Sequence, residues 1–527
     1  MRLLGLMVGA AVLASPAAAQ KAPTGAKAEV IRGVDARAKL GQEINDSLFS
    51  FAELGFQEVE TEKYLTALLE KEGFAITRGV AGLPTGWVAR WSNGTGGPTL
   101  ALGSDIDGIP KASQTPGIPW RKPMVEGGPG HGEGHNSGQA VNIVAALAVK
   151  DWMIRTRTPG TLVLWPGVAE ELLGGKAYMV RDGVFAGVDA VIFTHVSDQL
   201  RTQWGQPSGT GLVSVEYRYT GDAAHSAGAP WRGKSALDAV MLAGMGWDMR
   251  REHLRTEQRS HYIIPDGGDQ PNVVPSTASI WFYFREQSFD RIRQMTDAGD
   301  AVAQGAALMT ATTLGRRVLG AAAPQHFNRP IAEAANANIR AIGLPQWTAE
   351  EQAFARAVQT NLKVEKPEGL PTKLAEFGPP PAEPKSGGSD DIGDISWTLP
   401  TITINSPSNI PQLPGHHWSN AIAMATPIAH KGVQAGAKAV ATTLIDLFTR
   451  PALLAEAKRY FTEVQTKDQK YVSMIGAERP PVEINAAVMA RFKPAIAAQR
   501  YDPARYRTYL EQLGVAWPTL GSGPAKE

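Results

Sequence analysis

Two imidazoles and a carboxylate lie close together in residues 130–136 (GHGEGHN), at His131, Glu133 and His135. The glycines between them let the backbone bend sharply, so Glu133 and His135 can be directed at one point. Imidazole and carboxylate groups that converge in this way are ligands for Zn²⁺, Mn²⁺ or Co²⁺. The segment therefore predicts a site for a divalent metal ion.

Further candidate ligands recur along the chain, each directly after a predicted buried strand. They are Asp105 and Asp107 after residues 99–102, Glu170 and Glu171 after 161–165, His195 after 189–194, and His416 in a loop after 401–404. A lone His or a lone Glu pair at such a place is more often structural or solvated. The carboxyl ends of parallel strands meet at one edge of a sheet, however, so four such placements favour a shared site.

Amide hydrolysis is the chemistry that this set of residues suits. A bound metal ion lowers the pKa of its water from about 15.7 to about 7. A nearby carboxylate must still take a proton from the water and pass it to the leaving nitrogen. Adjacent glutamates can divide this labour, because one binds the metal and the other stays free as the base. A serine hydrolase is disfavoured, since no Gly-x-Ser-x-Gly motif is present.

The elements that must position these groups alternate between strands and helices. Helical spacing predicts two helices over residues 36–76, and Asn93-Gly94 between 86–91 and 99–102 predicts a hairpin. The later strands 161–165, 189–194 and 401–404 are separated or followed by helical patterns at 138–155, 175–183 and 432–450. The predicted fold class is α/β, a mixed sheet with helices on both faces, as in zinc exopeptidases.

Residues 209–324 differ and predict a smaller α+β domain inserted into the catalytic domain. Its predicted elements are strand 213–219, a helix with Leu237, Val240, Met241 and Met245 on one face, strand 279–285, helix 289–308 and strand 312–319. The chain of 527 residues is too long for one core. The predicted division is a signal peptide at 1–19, catalytic domain at 20–208 and 325–450, inserted lid and dimerisation domain at 209–324, and a C-terminal helical extension with a tail at 451–527.

The N-terminus and the composition predict an exported protein that is soluble once mature. Arg2, the short apolar run 3–14 and Ala17-Ala18-Ala19 are typical of a secretory signal peptide, so we expect a periplasmic or secreted protein that begins near Gln20. A membrane anchor or buried helix is the alternative for this segment. The near-zero net charge, +1, gives no electrostatic case for nucleic acid or an anionic membrane surface. There is no cysteine, which excludes disulfides and Cys-based zinc sites.

Residues 36–450 resemble the di-metal aminoacylase and carboxypeptidase superfamily. More narrowly, they resemble its amidohydrolase branch, which contains indole-acetyl-amino-acid hydrolases and p-aminobenzoyl-glutamate hydrolase B subunits. The motifs that carry the resemblance are 52–58 (AELGFQE), 104–110 (SDIDGIP), 131–136 (HGEGHN), 169–171 (AEE), 174–176 (GGK), 224–227 (AHSA), 272–275 (NVVP), 388–397 (GSDDIGDISW), 414–416 (PGH) with Trp418, and 428–432 (IAHKG).

The resemblance implies a role for each site residue. Glu170 is the expected general base, and the expected metal ligands are Glu133, His135, Glu171, His195 and His416. His225 of the inserted domain is expected to reach the active site of the other protomer of a homodimer and stabilise the oxyanion. Asn272 and Arg285 are expected to bind the substrate carboxylate. Two divalent ions are implied, zinc or manganese, with cobalt as a further candidate. The expected substrates are N-acyl or N-aroyl amino acids, such as p-aminobenzoyl-glutamate, or dipeptides.

One position departs from the family pattern, because Glu133 stands where the family has a bridging cysteine. Glu133 either bridges the two metals as a carboxylate or, being longer, spoils the bridge and leaves one metal or none. We favour bridging, since the other four ligands are intact. Asp107, and His131 with it, is then expected to orient His135. The alternative function is a catalytically degenerate relative that binds amino-acid conjugates without cleaving them.

Overall fold

The structure is a computed structural model that describes residues 23–206, 209–380 and 387–523. The predicted signal peptide at 1–19 lies outside the described residues. Among the described residues, no helix combines the length and apolar character needed to cross a bilayer.

Before the insertion the chain alternates between strands and helices, and it resumes the same architecture afterwards. The first part contains α1 (Gly25–Asp35), α2 (Ala38–Phe51), α3 (Val59–Lys71), β1 (Ala75–Arg78), β2 (Trp87–Asn93), β3 (Thr99–Asp105), α4 (Gly138–Thr156), β4 (Gly160–Gly167), α5 (Lys176–Arg181), β5 (Ala190–Ser197) and β6 (Arg201–Thr202). The insertion contains β7 (Gly211–Thr220), α6 (Ala236–Arg251), β8 (Arg259–Asp266), β9 (Thr277–Glu286), α7 (Phe289–Thr310) and β10 (Thr313–Ala322). The remainder contains α8 (Arg329–Ile342), α9 (Ala349–Asn361), α10 (Ile392–Ser396), β11 (Thr401–Pro407), α11 (Pro427–Thr449), α12 (Pro451–Tyr460), α13 (Ala486–Ala497) and α14 (Tyr509–Gln512).

The larger sheet has seven strands in the order β1-β2-β4-β3-β5-β11-β6. Strands β4, β3, β5 and β11 run parallel to one another, while β2 and β6 are antiparallel to their neighbours. The carboxyl ends of four strands therefore open on the same edge, where the candidate ligands follow them. The predicted hairpin between residues 86–91 and 99–102 is wrong: β4 lies between β2 and β3 and pairs with both. The chain does turn at residues 94–97, but the strand that pairs with β2 and β3 is β4, which comes later in the sequence.

Two long, largely buried helices, α4 and α11, pack on this sheet and cover its core. Helix α4 is buried along most of its length and contacts β3, β4 and β5, while α11 packs against α4 and β11. A helix that is buried on nearly all sides, as α4 is, belongs inside a layered domain, whereas α11 keeps a polar stripe with His430, Lys431, Gln434 and Lys438. Close packing also constrains β3, because a side chain at Gly103 would lie 2.1 Å from the ring of Trp165. This packing fixes the strand ends from which the site is built.

The insertion forms a separate four-stranded antiparallel sheet, in the order β10-β7-β9-β8, covered by α6 and α7. The sequence predicted three of these strands and missed β8. The predicted apolar face of α6 is also partly wrong. Val240 is buried against the sheet, but Met241 and Met245 are exposed, and the helix packs through Ala239, Ala243 and Trp247. Alanines and one tryptophan make the buried face of α6, and the two methionines lie on its exposed side.

Candidate metal centre

The loop that leads into α4 is bent by its glycines, and this places His131 and His135 in the protein interior. Gly134 has φ +98, and a side chain there would lie 3.0 Å from the sulfur of Met424. The Nε2 atom of His131 lies 2.9 Å from the carbonyl oxygen of Leu48. Burial lowers the pKa of His131 to about 3, so the ring is neutral and donates to that carbonyl. His131 therefore anchors the loop and is not itself among the clustered ligand atoms.

His135 is held with one ring nitrogen free. Its Nδ1 lies 3.1 Å from the backbone oxygen of Asp107 and 3.4 Å from the Asp107 carboxylate. Because an acceptor faces Nδ1, the proton belongs there and Nε2 keeps its lone pair. Nε2 is buried, has no hydrogen-bond partner among the described residues, and lies 3.9 Å from Oε2 of Glu170. Asp107 thus orients the His135 ring as a ligand needs.

Glu170 and Glu171 occupy a tight turn directly after β4. Ala169, before them, has φ 51, and the backbone N–H of Glu171 donates to Oδ2 of Asp107 at 3.1 Å. Burial, together with the neighbouring carboxylates Asp105 and Asp390, raises the pKa of Glu170 well above its ordinary value. Burial and Asp107 raise the pKa of Glu171 in the same way. The turn therefore presents two crowded carboxyl groups that a cation would stabilise.

Glu133, Glu171 and His416 form one group of candidate ligands. Nε2 of His416 lies 3.3 Å from Oε2 of Glu171 and 3.8 Å from Oε2 of Glu133. His416 has a left-handed backbone (φ 47), and 69% of its side chain is exposed. The ligand atoms of the three residues lie within 4.8 Å of one another.

His135 and His195 form a second group, together with Asp105. The two imidazole rings are 5.3 Å apart, and Nδ1 of His195 lies 2.9 Å from the oxygen of Val196, which leaves its other nitrogen free to bind. The ligand atoms of Asp105, His135 and His195 lie within 4.8 Å of one another. A third cluster, His135 with Glu170 and Glu171, links the two groups. All five predicted ligands and the predicted base thus lie in one place.

The donor atoms fit divalent cations. Nε2 of His135, Oε1 of Glu171 and Oδ2 of Asp105 are buried without a hydrogen-bond partner among the described residues. Buried polar atoms are almost always paired, so unpaired ones that converge indicate a ligand. Carboxylate and imidazole donors without thiolate favour Zn²⁺, Mn²⁺ or Co²⁺ over soft metals.

Behind the ligands lies a buried ion cluster around Lys176, which is fully buried. Its Nζ lies 2.5 Å from Oδ1 of Asp105 and 3.3 Å from Asp390, and it contacts Asp391. The surrounding carboxylates raise the pKa of Lys176 well above its ordinary value, although burial acts in the opposite direction. Asp105 was predicted only as a candidate ligand, and no role was predicted for Lys176. Asp105 was signalled by its place after a predicted strand and by a family motif, whereas Lys176 was signalled by a family motif alone.

The ligands open into a cleft of about 580 Å³, a size that suits a small-molecule substrate. Arg285 lines the cleft and donates from Nη1 to the hydroxyl of Ser389 at 2.9 Å. Its Nε is buried and has no partner among the described residues. Arg201 also lines the cleft.

Two predicted site residues lie elsewhere. His225 and Asn272 are exposed on the inserted domain and are not among the residues that line the cleft. His225 and Asn272 lie close to each other. The backbone N–H of Ser226 donates to the backbone oxygen of Asn272 at 3.0 Å, and His225 forms an isolated antiparallel β-bridge with Val273. The single chain therefore brings together the predicted base, the five predicted ligands and Arg285, but not His225 or Asn272.

A mixed α/β sheet with an inserted sheet domain, and histidines and carboxylates converging in its cleft, defines a hydrolase of the metallopeptidase type. No family model matches the chain. The chain is 33% identical to the B subunit of p-aminobenzoyl-glutamate hydrolase of Escherichia coli (strain K12) over 455 residues, 81% of this chain and 93% of that protein. The chain belongs to the family of that hydrolase. The predicted resemblance, the α/β fold class and the amide-hydrolase class are thereby confirmed.

A second relative with lower sequence identity and a solved structure are also similar to this chain. The Xaa-Arg dipeptidase of Mus musculus is 25% identical over 450 residues, 81% of this chain and 90% of that protein. A solved structure of an aminobenzoyl-glutamate utilization protein from Klebsiella pneumoniae has a TM-score of 0.54 at 17% identity, and the match covers 78% of this chain and 98% of that one. The fold is therefore shared along nearly the whole of the solved protein, and about a fifth of this chain lies outside the match.

Proposed function

We propose that this chain hydrolyses the amide bond of N-acyl or N-aroyl amino acids or of dipeptides. The observation that carries the proposal is the position of Glu170, whose Oε2 lies 3.9 Å from His135 and which lines the cleft with Glu133, Glu171 and His416. The names of the relatives, a p-aminobenzoyl-glutamate hydrolase and an Xaa-Arg dipeptidase, support this class of substrate.

We propose that two divalent ions bind here, zinc or manganese, with cobalt as a further candidate. Their ligands are Glu133, Glu171 and His416 on one side and His135 and His195 on the other. When bound, such ions lower the pKa of coordinated water and polarise the amide carbonyl. Asp105 lies beside the second group with one oxygen unpartnered, which makes it a further candidate ligand.

Glu170 serves as the general base and then as the general acid. A carboxyl whose pKa is raised can accept a proton from water and return it to the leaving nitrogen. Burial and the crowding of Glu170 by Asp105 and Asp390 produce that shift. Arg285 binds the carboxylate of the substrate, because its guanidinium faces the cleft and keeps an unpartnered Nε.

The role of Glu133 distinguishes the proposed hydrolase from a relative that binds conjugates without cleaving them. Its carboxylate lies with Glu171 and His416, which supports a ligand role in place of the family's cysteine. The rival function, a relative that binds conjugates without cleaving them, requires that this substitution prevent loading of the metals. Metal analysis of the purified protein separates the two, since near-zero bound metal together with tight binding of a conjugate would favour the binder.

We propose a homodimer in which His225 completes the partner's active site. β8 is an edge strand of the inserted sheet, with Ile263 and Ile264 exposed. Exposed Met241 and Met245 lie on α6 beside it. An open edge next to an apolar surface is typical of an interface. The chain is also similar to the second subunit of the same Escherichia coli hydrolase, so a hetero-oligomer is the alternative assembly.

Complementation tests the dimer. His225→Ala and Glu170→Gln are expected to inactivate the enzyme when each is expressed alone. Co-expression of the two is expected to restore part of the activity, because one site of a mixed dimer receives intact Glu170 and an intact His225 from the other protomer. Failure to restore activity, with mixed dimers demonstrated by two affinity tags, would contradict a role for His225 in the partner's site.

We also propose export to the periplasm or medium, on the basis of the N-terminal segment. Mass spectrometry of the protein from a periplasmic or culture fraction should find a mature N-terminus near Gln20. Retention of Met1 in a cytoplasmic fraction would contradict export.

The function itself is tested with a panel of N-acyl amino acids and dipeptides. Purified protein is assayed after loading with Zn²⁺, Mn²⁺ or Co²⁺, with release of the free amino acid as the readout. Cleavage of at least one class that depends on added metal and is abolished by chelation is the expected result. The matched control is Glu170→Gln, which should bind metal and leave the panel uncleaved.

A further inference from the structure

The C-terminal extension packs against both the catalytic domain and the inserted domain. Tyr471 donates to Oδ1 of Asp394 at 2.6 Å, next to the catalytic core, and Ile475 is buried in the core of the inserted domain. Glu483 then pairs with Arg317 of β10. The segment from 471 to 483 therefore passes from one domain to the other, held by the partly buried Tyr471 on the catalytic domain and by the buried Ile475 on the inserted domain.

The next residues are fixed against the catalytic domain beside the cleft. Nε2 of Gln57 donates to the backbone oxygens of Val482 at 3.0 Å and Ile484 at 3.2 Å. Helix α13 follows, and Met489 packs in a cluster with Leu54. The backbone on either side of Asn485 is thus held in place.

Asn485 is the residue of this extension that lines the cleft. It stands directly before α13, where an Asn side chain ordinarily caps the helix. Here the side chain makes no cap, the backbone is left-handed (φ 68), and Nδ2 donates to the oxygen of Gly55 at 3.2 Å. The amide is therefore turned away from its own helix and towards the cleft.

The part of the cleft around Asn485 is uncharged. We call it the Asn485 wall, and it consists of Leu54, Gly55, Gly108, Ile109, Pro110 and Asn485. Its backbone segments are joined by the Leu54–Gly108 bridge and by the Asn485–Gly55 hydrogen bond. The two arginines of the cleft come from β6 and β9: Arg201 pairs in register with Asn405 of β11, and the Arg285 guanidinium donates to Ser389. The two regions therefore suit different ends of a substrate, the arginines its carboxylate and the Asn485 wall its acyl group.

We propose that Asn485 is a specificity-determining residue that hydrogen-bonds a polar substituent on the acyl group of the substrate. This inference rests on the proposed function. On the Asn485 wall the amide is the side chain that can donate or accept a hydrogen bond, whereas Leu54, Ile109 and Pro110 offer apolar contact. The wall therefore favours an aromatic or aliphatic acyl group that carries a hydroxyl or an amine over the same group without it.

The experiment compares N-benzoyl-glutamate with its 4-hydroxybenzoyl and 4-aminobenzoyl analogues, using the full chain loaded with metal. Asn485→Gly removes the side chain and suits the left-handed backbone at that position. We expect the preference for the substituted acyl groups, as a ratio of kcat/KM, to fall about fivefold or more, which is the loss typical of one hydrogen bond. Ratios among substrates that vary only in the amino acid should be unchanged.

Controls separate this role from a structural one. Val488→Ala, on an exposed position of α13, should leave every ratio unchanged. Binding of the same analogues to Asn485→Gly in a Glu170→Gln background should show the same loss of preference without turnover. An unchanged acyl preference in both assays, with metal content and melting temperature preserved, overturns the inference. A wild-type protein that cleaves no panel member refutes the proposed function instead.

Discussion

Replacing Glu170 with Gln removes the proposed base while keeping the shape of the side chain. Loss of a general base ordinarily lowers kcat by about 10²- to 10⁴-fold, or ~3–5 kcal/mol of barrier. Glu170 is buried, and its Oε2 lies 3.9 Å from Nε2 of His135. The adjacent carboxylate, Glu171, pairs with His416 and is not free to take over the role, so we expect the larger part of that range.

The same substitution should stabilise the metal-free protein. The pKa of Glu170 is raised in the folded chain, so ionisation of Glu170 costs folding free energy as the pH rises above about 4.5. Gln cannot ionise, and therefore the variant avoids that loss. Without metal, Glu170→Gln should unfold at a higher temperature than the wild type at pH 8, and the difference should shrink at pH 5.

Three measurements on one preparation test this reasoning. They are kcat on the best substrate, bound metal by mass spectrometry, and the melting temperature with and without chelator. We expect a large fall in kcat, unchanged metal content and the pH-dependent gain in stability. A variant that keeps more than a tenth of wild-type kcat with full metal would refute Glu170 as the base. A variant that has lost its metal would instead place Glu170 among the ligands.

Three further results are expected. Glu133→Ala should lower metal occupancy, because its carboxylate lies with two other ligands; unchanged occupancy by mass spectrometry would remove it from the ligand set. Lys176→Met should destabilise the protein by ~3–5 kcal/mol in urea unfolding, since breaking a buried ion pair leaves uncompensated charge, and a loss below about 1 kcal/mol would contradict this. Burial raises the pKa of Glu58 to about 8 and of Glu53 to about 7, so the folded state binds protons more tightly than the unfolded state. The free energy of unfolding in chelator should therefore fall as the pH rises from 5 to 8, and a rise over that range would show the sign to be wrong.

The ligand positions were predictable because parallel strands impose a rule that the sequence obeys. Glu170, Glu171 and His195 follow apolar runs, and the carboxyl ends of neighbouring parallel strands must meet. Glu133 and His135 were predictable from the glycine-rich segment before α4 instead. Asn93-Gly94 was misleading because a local turn motif does not determine which strands pair. The chain turns there, but β4 lies between β2 and β3 and pairs with both. β8 was missed because apolar and polar residues do not alternate along it: Ile263 and Ile264 are adjacent and both exposed, and the buried residue of the strand is Ser260.

Residues that act through distant contacts were harder to predict. Lys176 lies in the first helical turn of α5 and gains its meaning only when Asp390 and Asp391 are brought to it from more than two hundred positions away. Asn485 has the local pattern of a helix cap, and only the Gln57 contacts show why its side chain faces the cleft instead. In both cases the local pattern is ordinary and the tertiary contact supplies the role.

The distribution of charge around the cleft argues that cations complete this fold. Lys176 neutralises the inner carboxylates, Asp105 and Asp391, through direct contacts. Glu133 and Glu171 instead face the cleft with His416. The charge of Lys176 is a permanent part of the chain. Glu171, by contrast, keeps one oxygen that has no hydrogen-bond partner among the described residues. The site therefore has two parts. In the inner part, Lys176 holds the strand ends together with its own charge. In the outer part, Glu133, Glu171 and His416 are arranged to bind exchangeable cations at the cleft.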